Sequence, residues 1–316
     1  MPFVLNKIAF PFASVDQIKF FQNAFFQSLR SSSVRSVLQS LETENKHYVA
    51  FEARIEGHLV GLVLAEVFAS NRTGQFYLLF VEEGYRGQGI GQALFTCMQN
   101  FLVKEEKVFA IGLEYEEGTP HTQAMEKILA HHHWTIPSVY LLRCHFDSYH
   151  FDPKWLYLPF NLPANMEFFQ WQDLTAQDRE DLQKIKEGKG LNPLLWPFRE
   201  ESTIDLLTSV GLRRDNQLVG WSITNRLGDT IRYSILYVEK ELQALGYGIQ
   251  LLIESIRQHD RLMHGDNPAP RALFEIVLSQ INATWTRFVE RRLVPYSTKV
   301  DRMKWALKFF NENIPL

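Results

Sequence analysis

The segment Arg86–Gly91 has the residue types and the spacing best suited to chemistry, with three glycines in six residues. It follows an apolar strand that is predicted to end at Val81, and it opens a helix predicted from Gly89 to about Lys104. The first N–H groups of a helix lack intrahelical partners, and the helix dipole there favours an anion. Glycines also remove the Cβ atoms that would keep a phosphate away from those N–H groups. The segment therefore predicts a cradle for a pyrophosphate.

Two other kinds of phosphate loop do not fit this segment. A Walker loop needs a Lys-Ser or Lys-Thr pair after its glycines, and none follows Gly91. A dinucleotide-binding fingerprint counted from Gly89 would need a glycine or alanine where the chain has Leu94, and no strand–helix–strand unit opens the chain. For one such segment taken alone, a glycine-rich helix start without a ligand stays open as the alternative.

The same pattern occurs a second time in the chain. At a constant offset of 157 residues, five residues recur, namely Val81, Glu82, Gly89, Gly91 and Leu94 as Val238, Glu239, Gly246, Gly248 and Leu251. Upstream, Leu59-Val60-Gly61 recurs as Leu218-Val219-Gly220 at an offset of 159. Two matches at nearly the same offset predict two copies of one domain, because the period is far too long for a solenoid.

The length of the chain supports a division into two domains. It has 316 residues, and a single hydrophobic core stops growing at about 250–300 residues. We expect domains at 1–150 and 166–316, joined by a linker at 151–165 that contains Pro153, Pro159 and Pro163. Proline interrupts helices and strand pairing. The linker also carries Trp155, Tyr157 and Phe160, so we expect it to pack across the domains.

Hydrophobic periodicity predicts the element order βααβββαβαβ in each half, a mixed α/β fold. In the first half the strands are predicted at Phe3–Phe10, Tyr48–Glu56, His58–Phe68, Gln75–Val81, Val108–Tyr115 and Ser138–Phe146, and the helices at Ser14 to about Arg30, Val34–Leu41, Gly89–Lys104 and His121–His131. In the second half the strands are predicted at Glu167–Trp171, Val210–Arg214, Leu218–Asn225, Thr230–Val238, Leu273–Leu278 and Ser297–Leu307, and the helices at Ala176–Lys186, Ser202–Thr208, Gly248–His259 and Ala283–Arg291.

The pattern Arg86-x-x-Gly89-x-Gly91 resembles the R/Q-x-x-G-x-G/A motif of the GNAT superfamily of acyl-CoA N-acyltransferases. Its copy Gln243-x-x-Gly246-x-Gly248 matches the motif as well, and the element order resembles that fold over nearly the whole chain, twice. The two-domain mycothiol synthases of the superfamily have a similar length. The resemblance implies an α/β fold with a mixed sheet, built as two tandem GNAT-like domains.

The resemblance also implies a cofactor, acetyl-CoA or another acyl-CoA, held at the glycine turns. In the first half the implied coenzyme A residues are Val81, Arg86, Gly87, Gln88, Gly89, Ile90 and Gly91, and in the second half Val238, Gln243, Gly246 and Gly248. In the second copy, Leu242 and Ala244 replace residues typical of the motif. A weaker or vestigial second site therefore stays open.

Acyl transfer to an amine needs a group that accepts the amine proton and donors for the oxyanion. Glu114 is our first candidate base, because Gly112-Leu113-Glu114 is similar to the end of strand five in several GNAT members, where a glutamate is the base. Phe274-Glu275-Ile276 offers the same arrangement in the second half. Glu82 is the second candidate base. A glutamate that only bonds the backbone or solvent is the alternative.

The acid for the leaving thiolate is less clearly marked in the sequence. Many GNAT members carry a tyrosine late in their fourth helix, but Leu129 stands there in the first half and Val289 in the second. Tyr115, a nearby histidine or water is left as the acid, and a coenzyme A-binding module without catalysis is the alternative function. Tyr77 could line the acceptor cleft, although a packing role is the simpler expectation.

Acidic residues near the predicted strand ends favour a cationic acceptor, a small-molecule or peptide amine, unless they form only a solvated rim. They are Glu66, Glu82, Glu83, Glu114, Glu116 and Glu117. No metal is expected, because His131, His132 and His133 are consecutive and no acidic or cysteine partner stands at ligand spacing. These histidines are better suited to a polar helix end.

The composition excludes several classes of protein. A net charge of −3 gives no basic face for a nucleic acid. Only two cysteines, Cys97 and Cys144, indicate a reducing compartment, and Cys97 is expected in the core rather than as a nucleophile. No segment has the features of a signal peptide or a membrane span, so we expect a cytoplasmic protein. The oligomeric state is left open.

Overall fold

A computed structural model describes residues 2–27, 46–188, 191–278 and 283–310 of the chain. The helix predicted at Val34–Leu41 lies outside these residues, as does the end of the helix predicted to run to Arg30. By its contacts the chain divides into two compact units. The first unit comprises residues 1–139 and 303–316, and the second unit comprises residues 140–302.

The helices and strands follow the predicted order closely. The strands are β1 (Val4–Ile8), β2 (Lys46–Ile55), β3 (His58–Phe68), β4 (Thr73–Val81), β5 (Ala110–Glu116), β6 (Ser138–Asp147), β7 (Met166–Gln170), β8 (Val210–Arg214), β9 (Gln217–Leu227), β10 (Thr230–Val238), β11 (Arg271–Val277) and β12 (Lys299–Phe309). The α-helices are α1 (Val15–Gln27), α2 (Ile90–Lys104), α3 (Thr122–His131), α4 (Ala176–Glu187), α5 (Lys240–Gln243), α6 (Tyr247–Met263) and α7 (Ala283–Phe288).

The sheet of the first unit has the strand order β1-β2-β3-β4-β5-β12. All neighbours are antiparallel except β4 and β5, which are parallel. One face packs on α2, whose Ile90, Leu94 and Phe95 belong to one core cluster. The other face packs on α1, whose Phe21 and Ala24 belong to a second cluster. The two helices thus cover opposite faces of one sheet.

The sheet of the second unit repeats this plan with the order β6-β11-β10-β9-β8-β7. Its only parallel pair among the described strands is β10 and β11. Leu251 of α6 packs on one face, and Leu182 of α4 packs in the cluster around Trp221 on the other. The mixed α/β fold expected from the sequence is confirmed.

The repeated Leu-Val-Gly triplets have a structural reason. A Cβ on Gly61 would lie 2.9 Å from a methyl carbon of Leu94, and one on Gly220 would lie 3.1 Å from a methyl carbon of Leu251. Glycine in β3 and β9 therefore lets the helix after the glycine turn pack directly on the strand. Both Gly61 and Gly220 follow a bulge. There the carbonyls of Val60 and Val219 accept from the N–H groups of Glu82 and Glu239, the residues just after the next strand, at 2.9 Å each.

One helix predicted in the second half is not found in the structure. The helix predicted at Ser202–Thr208 is replaced by a single 3-10 turn at Glu201–Thr203. The Asp205 carboxylate accepts hydrogen bonds from the N–H groups of Leu207 and Thr208, at 3.2 and 3.0 Å. A side chain that bonds neighbouring backbone in this way competes with helix formation.

The compact units and the contacts of the linker can be set beside the predicted domain boundaries. The Trp155 indole donates to the Arg292 carbonyl at 3.0 Å, a contact within the second unit. The compact units place β6 with the second half and residues 303–309 of β12 with the first. Sequence duplication and compactness therefore divide the chain at different residues, and the halves 1–150 and 166–316 stay a prediction about its origin.

No helix in the described part of the chain is long and apolar enough to cross a membrane.

Candidate functional site

Strands β4 and β5 pair over only part of their length. Their parallel register runs from Thr73 opposite Ala110 to Phe76 opposite Leu113, while β4 continues to Val81. From residue 77 onward, β4 pairs only with β3 within the described residues. The backbone edge of β4 next to β5 is thus left without a strand partner, and an extended ligand can pair with it.

A bulge lies at the point where the two strands separate. Leu64 of β3 pairs with Leu78 and the next residue, Ala65, pairs with Phe76, so Tyr77 is the extra residue. The second unit has the same irregularity between Tyr233 and Ile235, which makes Ser234 the extra residue. A bulge re-aims the backbone next to a site. The two bulges stand at the same offset as the glycine turns.

The glycine turn of the first unit has the backbone geometry that the sequence predicts. Gly87 and Gly89 have φ angles of +76° and +81°, a region that favours glycine, and a Cβ on either would meet no atom within 4 Å. The first bond of α2 runs from the Ala93 N–H to the Gly89 carbonyl at 3.0 Å. In the described part of the chain, no protein acceptor takes a hydrogen bond from the N–H groups of residues 87–92. The turn thus offers free donors at a helix start.

Arg86 stabilises the turn from within. Its Nε donates to the carbonyl of Val81 at 2.8 Å, and its guanidinium lies 5.6 Å from the ring centre of Phe80. Gln243 makes the same contact in the second unit, where its Nε2 donates to the carbonyl of Val238 at 3.1 Å. The side chain at this motif position therefore holds the strand end and the turn together in both units.

The glycine turn of the second unit satisfies more of its own donors. Gly246 has a φ of +83°, as the motif requires. Three hydrogen bonds within this turn use N–H groups whose counterparts in the first turn are free. The Leu245 N–H donates to the Leu242 carbonyl at 3.2 Å, the Gly246 N–H to the Gln243 carbonyl at 3.4 Å, and the Ile249 N–H to the Gly246 carbonyl at 3.1 Å. Fewer donors are left for an anion. The second turn is therefore the weaker candidate cradle.

The linker covers the start of α6 in the second unit. The Phe160 ring lies 5.4 Å from the ring of Tyr247, the first residue of α6, and the two rings are nearly perpendicular. Phe160 and Leu162 pack on a cluster that includes Val238 and Leu242. The buried Leu242 thus anchors the second turn to the core, where the first turn has the half-buried Tyr85.

Glu114 lies one residue beyond the last pair between β4 and β5. Leu113 belongs to the core on the α2 face, so the alternation of a strand points Glu114 to the α1 face. Trp305 of β12 is its cross-strand neighbour. A Cβ on Gly112 would come within 2.5 Å of the Trp305 ring, so this indole lies directly over Gly112 on the face of Glu114.

The structure separates the two candidate bases. Glu82 follows the end of β4, is exposed, and donates its N–H to the Val60 carbonyl at 2.9 Å. Glu114 lies one residue beyond the pair of Leu113 and Phe76, and Glu82 lies five residues beyond that point along β4. At about 3.3 Å per residue, the two backbones are roughly 15 Å apart along the strand. The two carboxylates therefore cannot act on the same atom, and they stand as separate candidates.

Tyr115 belongs to a hydrogen-bonded group that includes a residue of the last strand. Its hydroxyl donates to Glu126 of α3 at 3.1 Å, and Lys304 of β12 lies 2.8 Å from Glu126 and 3.0 Å from Glu117. Burial first, and then the carboxylate of Glu126, raise the pKa of the Tyr115 phenol. A phenol with a raised pKa is a poor proton donor to a thiolate, so this environment disfavours Tyr115 as the acid.

The carboxylate of the second unit that corresponds to Glu114 is held by two arginines. The Arg143 Nε lies 2.7 Å from one oxygen of Glu275, and Arg232 lies 3.6 Å from the other. Glu239, the counterpart of Glu82, lies 3.3 Å from Arg214, and burial raises its pKa. Because both oxygens of Glu275 face arginines, Glu275 is poorly placed to accept a proton from a substrate.

The acidic residues expected around an acceptor are only partly available. Glu66 accepts from the Tyr48 hydroxyl at 3.0 Å and lies 3.2 Å from the Lys46 ammonium, and Glu117 is paired with Lys304. Glu82 and Glu83 are exposed on the turn after β4. The expected carboxylate cluster is thus neutralised at Glu66 and Glu117.

The consecutive histidines end α3. The His132 ring lies 3.1 Å from the Thr96 hydroxyl, burial lowers its pKa, and its carbonyl accepts from the Lys308 ammonium at 2.6 Å. Among the described residues, no group of three or more histidine, cysteine, aspartate or glutamate side chains could hold a metal ion. Cys97 packs against the core on the α2 face, as expected.

Sequence reasoning missed three residues beside the candidate site, Glu126, Lys304 and Trp305. Lys304 and Trp305 come from the last strand of the chain, which the sequence assigns to the other domain. No spacing in the sequence marks them, because only the pairing of β12 with β5 brings them to this unit.

Comparisons with known proteins agree with this geometry. Residues 15–124 match the model of the Acetyltransferase (GNAT) family. This segment contains the bulge, the glycine turn, α2 and Glu114. No curated protein sequence matches the chain.

Solved structures match the chain over its whole length. A tandem GNAT protein from the clavulanic acid biosynthesis pathway covers 99% of this chain and 100% of its own, with a TM-score of 0.68 and 13% identity. A GCN5-related N-acetyltransferase from Sphaerobacter thermophilus covers 99% of this chain and 98% of its own, with a TM-score of 0.65 and 14% identity. The match to the glucosamine N-acetyltransferase region of a fungal multi-domain GH3 beta-N-acetylglucosaminidase covers 97% of this chain and 38% of the fungal chain. Its TM-score is 0.65 and the sequence identity is 15%. The chain therefore has the tandem GNAT fold.

Proposed function

We propose that this chain, whose residues 15–124 match the model of the Acetyltransferase (GNAT) family, transfers an acyl group, most simply acetyl, from acyl-CoA to an amine in its first unit. The observation that carries the proposal is the set of free N–H groups at residues 87–92, next to the part of β4 that continues beyond its pairing with β5. The diphosphate of coenzyme A suits the donors, and its amide-bearing arm suits the strand edge.

Both ligands would meet where β4 and β5 separate. A pantetheine arm that pairs along residues 77–81 places its thioester near the bulge at Tyr77, where backbone N–H groups can stabilise the oxyanion. Glu114 faces the α1 side at the same level and would take the proton of the incoming amine. The amine nitrogen then bonds to the carbonyl carbon, the C–S bond breaks, and the coenzyme A thiolate leaves and is protonated from water. Positioning of the two substrates supplies much of the acceleration.

The second unit is proposed to be a degenerate copy. Its turn uses three of its own donors, its linker packs on the start of α6, and Glu275 is held by Arg143 and Arg232. Each of these features opposes a different step, namely diphosphate binding, access and proton transfer. A single acyl-CoA per chain is the expected stoichiometry.

Thiol release from acetyl-CoA tests this function. The acceptor panel should hold a small alkylamine, a peptide amine, an aminoglycoside and glucosamine, the last because a glucosamine N-acetyltransferase region shares the fold. Release with at least one amine, together with one bound coenzyme A per chain by calorimetry, supports the proposal. Tight coenzyme A binding without release for any acceptor would support a binding module instead, and no binding at all would reject both.

A further inference from the structure

The second unit contains a cavity of about 360 Å³ that the proposed reaction does not use. It lies between residues 148–157, the last turns of α6, and strands β6, β10 and β11. Its walls are aromatic and include Phe146, Tyr149, Phe151, Tyr157, Tyr233 and Phe274. A cavity of this size suits a small ligand with one ring.

The wall of the cavity contains a buried polar pair, Tyr233 and His259. The His259 Nε2 lies 2.7 Å from the carbonyl of Ala269, which can only accept, so Nε2 carries the proton. Burial lowers the pKa of His259 and keeps the ring neutral, so its Nδ1 accepts from the Tyr233 hydroxyl at 3.1 Å. The Ser148 hydroxyl lies 3.4 Å from Nε2. These directions leave the Tyr233 oxygen as an acceptor, while the Ser148 hydroxyl can both donate and accept.

The first unit has an apolar core at the same places. At the offset of the glycine turns, Tyr233 corresponds to Phe76 and His259 corresponds to Leu102, and both of these are fully buried. Trp134 packs 6.0 Å from the Phe76 ring, and its indole donates to Gln99 at 3.0 Å. The second unit thus has a cavity and a polar pair where its duplicate has close packing. Such a local loss of packing is typical of a functional site.

The rim of the cavity carries uncompensated negative charge. Asp152 and Asp260 both line the cavity, and Asp152 accepts a hydrogen bond from the Tyr157 hydroxyl. Asp152 contributes most to the raised pKa of that phenol, followed by burial and then Asp260. The one arginine of the lining, Arg257, donates to the Leu156 carbonyl at 3.1 Å and lies 3.6 Å from Glu254. Among the described residues, no ion pair neutralises Asp152 or Asp260.

We propose that this cavity binds a small organic cation, an ammonium group attached to an aromatic ring. The rings of Phe146, Phe151 and Phe274 would enclose the aromatic body. The carboxylates of Asp152 and Asp260, with the face of Tyr157, would hold the ammonium. The proposal does not depend on acyl transfer by the first unit.

Calorimetry on the full chain without acyl-CoA tests the proposal with three matched probes. These are 2-phenylethylammonium, the neutral 2-phenylethanol and the anionic 3-phenylpropionate. Saturable binding of the cation is expected, with the alcohol about fivefold weaker or more and the carboxylate weakest, because only the cation gains from the two carboxylates. Equal affinity for the alcohol, tighter binding of the carboxylate through Arg257, or no saturable binding of the cation would each overturn it.

Two variants locate the bound cation. Asp260→Asn removes the charge of an exposed side chain on the rim. It should weaken binding of the cation about fivefold and leave the affinity for the alcohol unchanged. Asp266→Asn, an equally exposed carboxylate outside the lining, is the matched control and should change neither. An amine that bound only beside Glu114 would keep its affinity in Asp260→Asn, and that result would reject the cavity as its site.

Discussion

At the residue scale, Arg86 and Gln243 show why one motif position accepts two residue types. The contact that both make is a single hydrogen bond to the carbonyl at the end of the preceding strand, at 2.8 and 3.1 Å. An arginine Nε and a glutamine amide can each supply one such donor. The family resemblance implied that both residues contact coenzyme A. In the structure both side chains also hold the glycine turn against the end of the preceding strand.

Gly89→Ala and Gly246→Ala form a matched pair of variants. Both glycines have a φ near +80° and open space at the Cβ position, so each alanine should cost about 1 kcal/mol of stability through backbone strain alone. Only the Gly89 variant should weaken coenzyme A binding, because the first turn keeps more of its donors free. Isothermal titration calorimetry measures the affinity, and thermal unfolding checks that the two losses of stability are equal. A larger loss of affinity in the Gly246 variant would place the cofactor in the second unit.

Glu114→Gln should lower kcat by about 10²–10⁴-fold, because the amide cannot accept the amine proton. The dissociation constant for coenzyme A should not change, since Glu114 lies on the face opposite α2. Steady-state kinetics and calorimetry give the two quantities. Glu82→Gln is the comparison variant, and a loss of kcat there with full activity in Glu114→Gln would exchange their roles.

At the element scale, the sequence predicted local structure well where backbone chemistry decides it. The bounds of β3, β8 and β10 agree with the predicted ranges, and the glycine turns lie before the helices that they were expected to start. The helix predicted at Ser202–Thr208 was wrong, because a side chain, Asp205, bonds the backbone there. The environment of Glu114 was not predictable, since Trp305 reaches it only through pairing between strands far apart in the sequence.

The buried pair of α6 and β10 can be tested as a unit. His259→Leu should destabilise the protein by about 1–3 kcal/mol, because the Tyr233 hydroxyl loses its acceptor in a buried position. Adding Tyr233→Phe should recover the part of this loss that comes from the tyrosine hydroxyl, while the Ala269 carbonyl still lacks the His259 donor. Denaturant unfolding of the two single variants and the double variant measures the coupling. Additive losses would show that the pair is not coupled.

At the scale of the whole molecule, the buried His259 makes stability depend on pH. Its pKa is lowered in the folded chain, so above the unfolded pKa of about 6.5 the ring is neutral in both states. As the pH falls below about 6.5, the unfolded chain binds a proton that the folded chain resists, and the free energy of unfolding falls by up to about 1.4 kcal/mol per pH unit. Denaturant unfolding at several pH values between 7 and 5 gives the free energy of unfolding as a function of pH. This free energy should fall less steeply with decreasing pH in the Tyr233→Phe/His259→Leu variant than in the unchanged protein. Equal slopes would contradict this assignment.

The assignment of residues 303–309 to the first unit predicts the behaviour of an isolated half. A fragment of residues 1–150 lacks β12, so the edge of β5 from Ala110 to Glu116 would have no antiparallel partner. Such an open edge promotes aggregation. We expect the fragment to be less soluble than the full chain and its β5 amides to exchange faster with deuterium. A soluble fragment with protected β5 amides would show that the half folds without the strand.

This membership of the last strand bears on how the gene could have evolved after duplication. A half that has lost its ligand would ordinarily drift or be deleted without harm. Here a deletion of the second half would also remove β12, whose residues 303–309 belong to the first unit. Purifying selection on the site of the first unit would therefore also preserve the fold of the second half. A second half without the first ligand would then be able to acquire a different one, provided that it continued to fold.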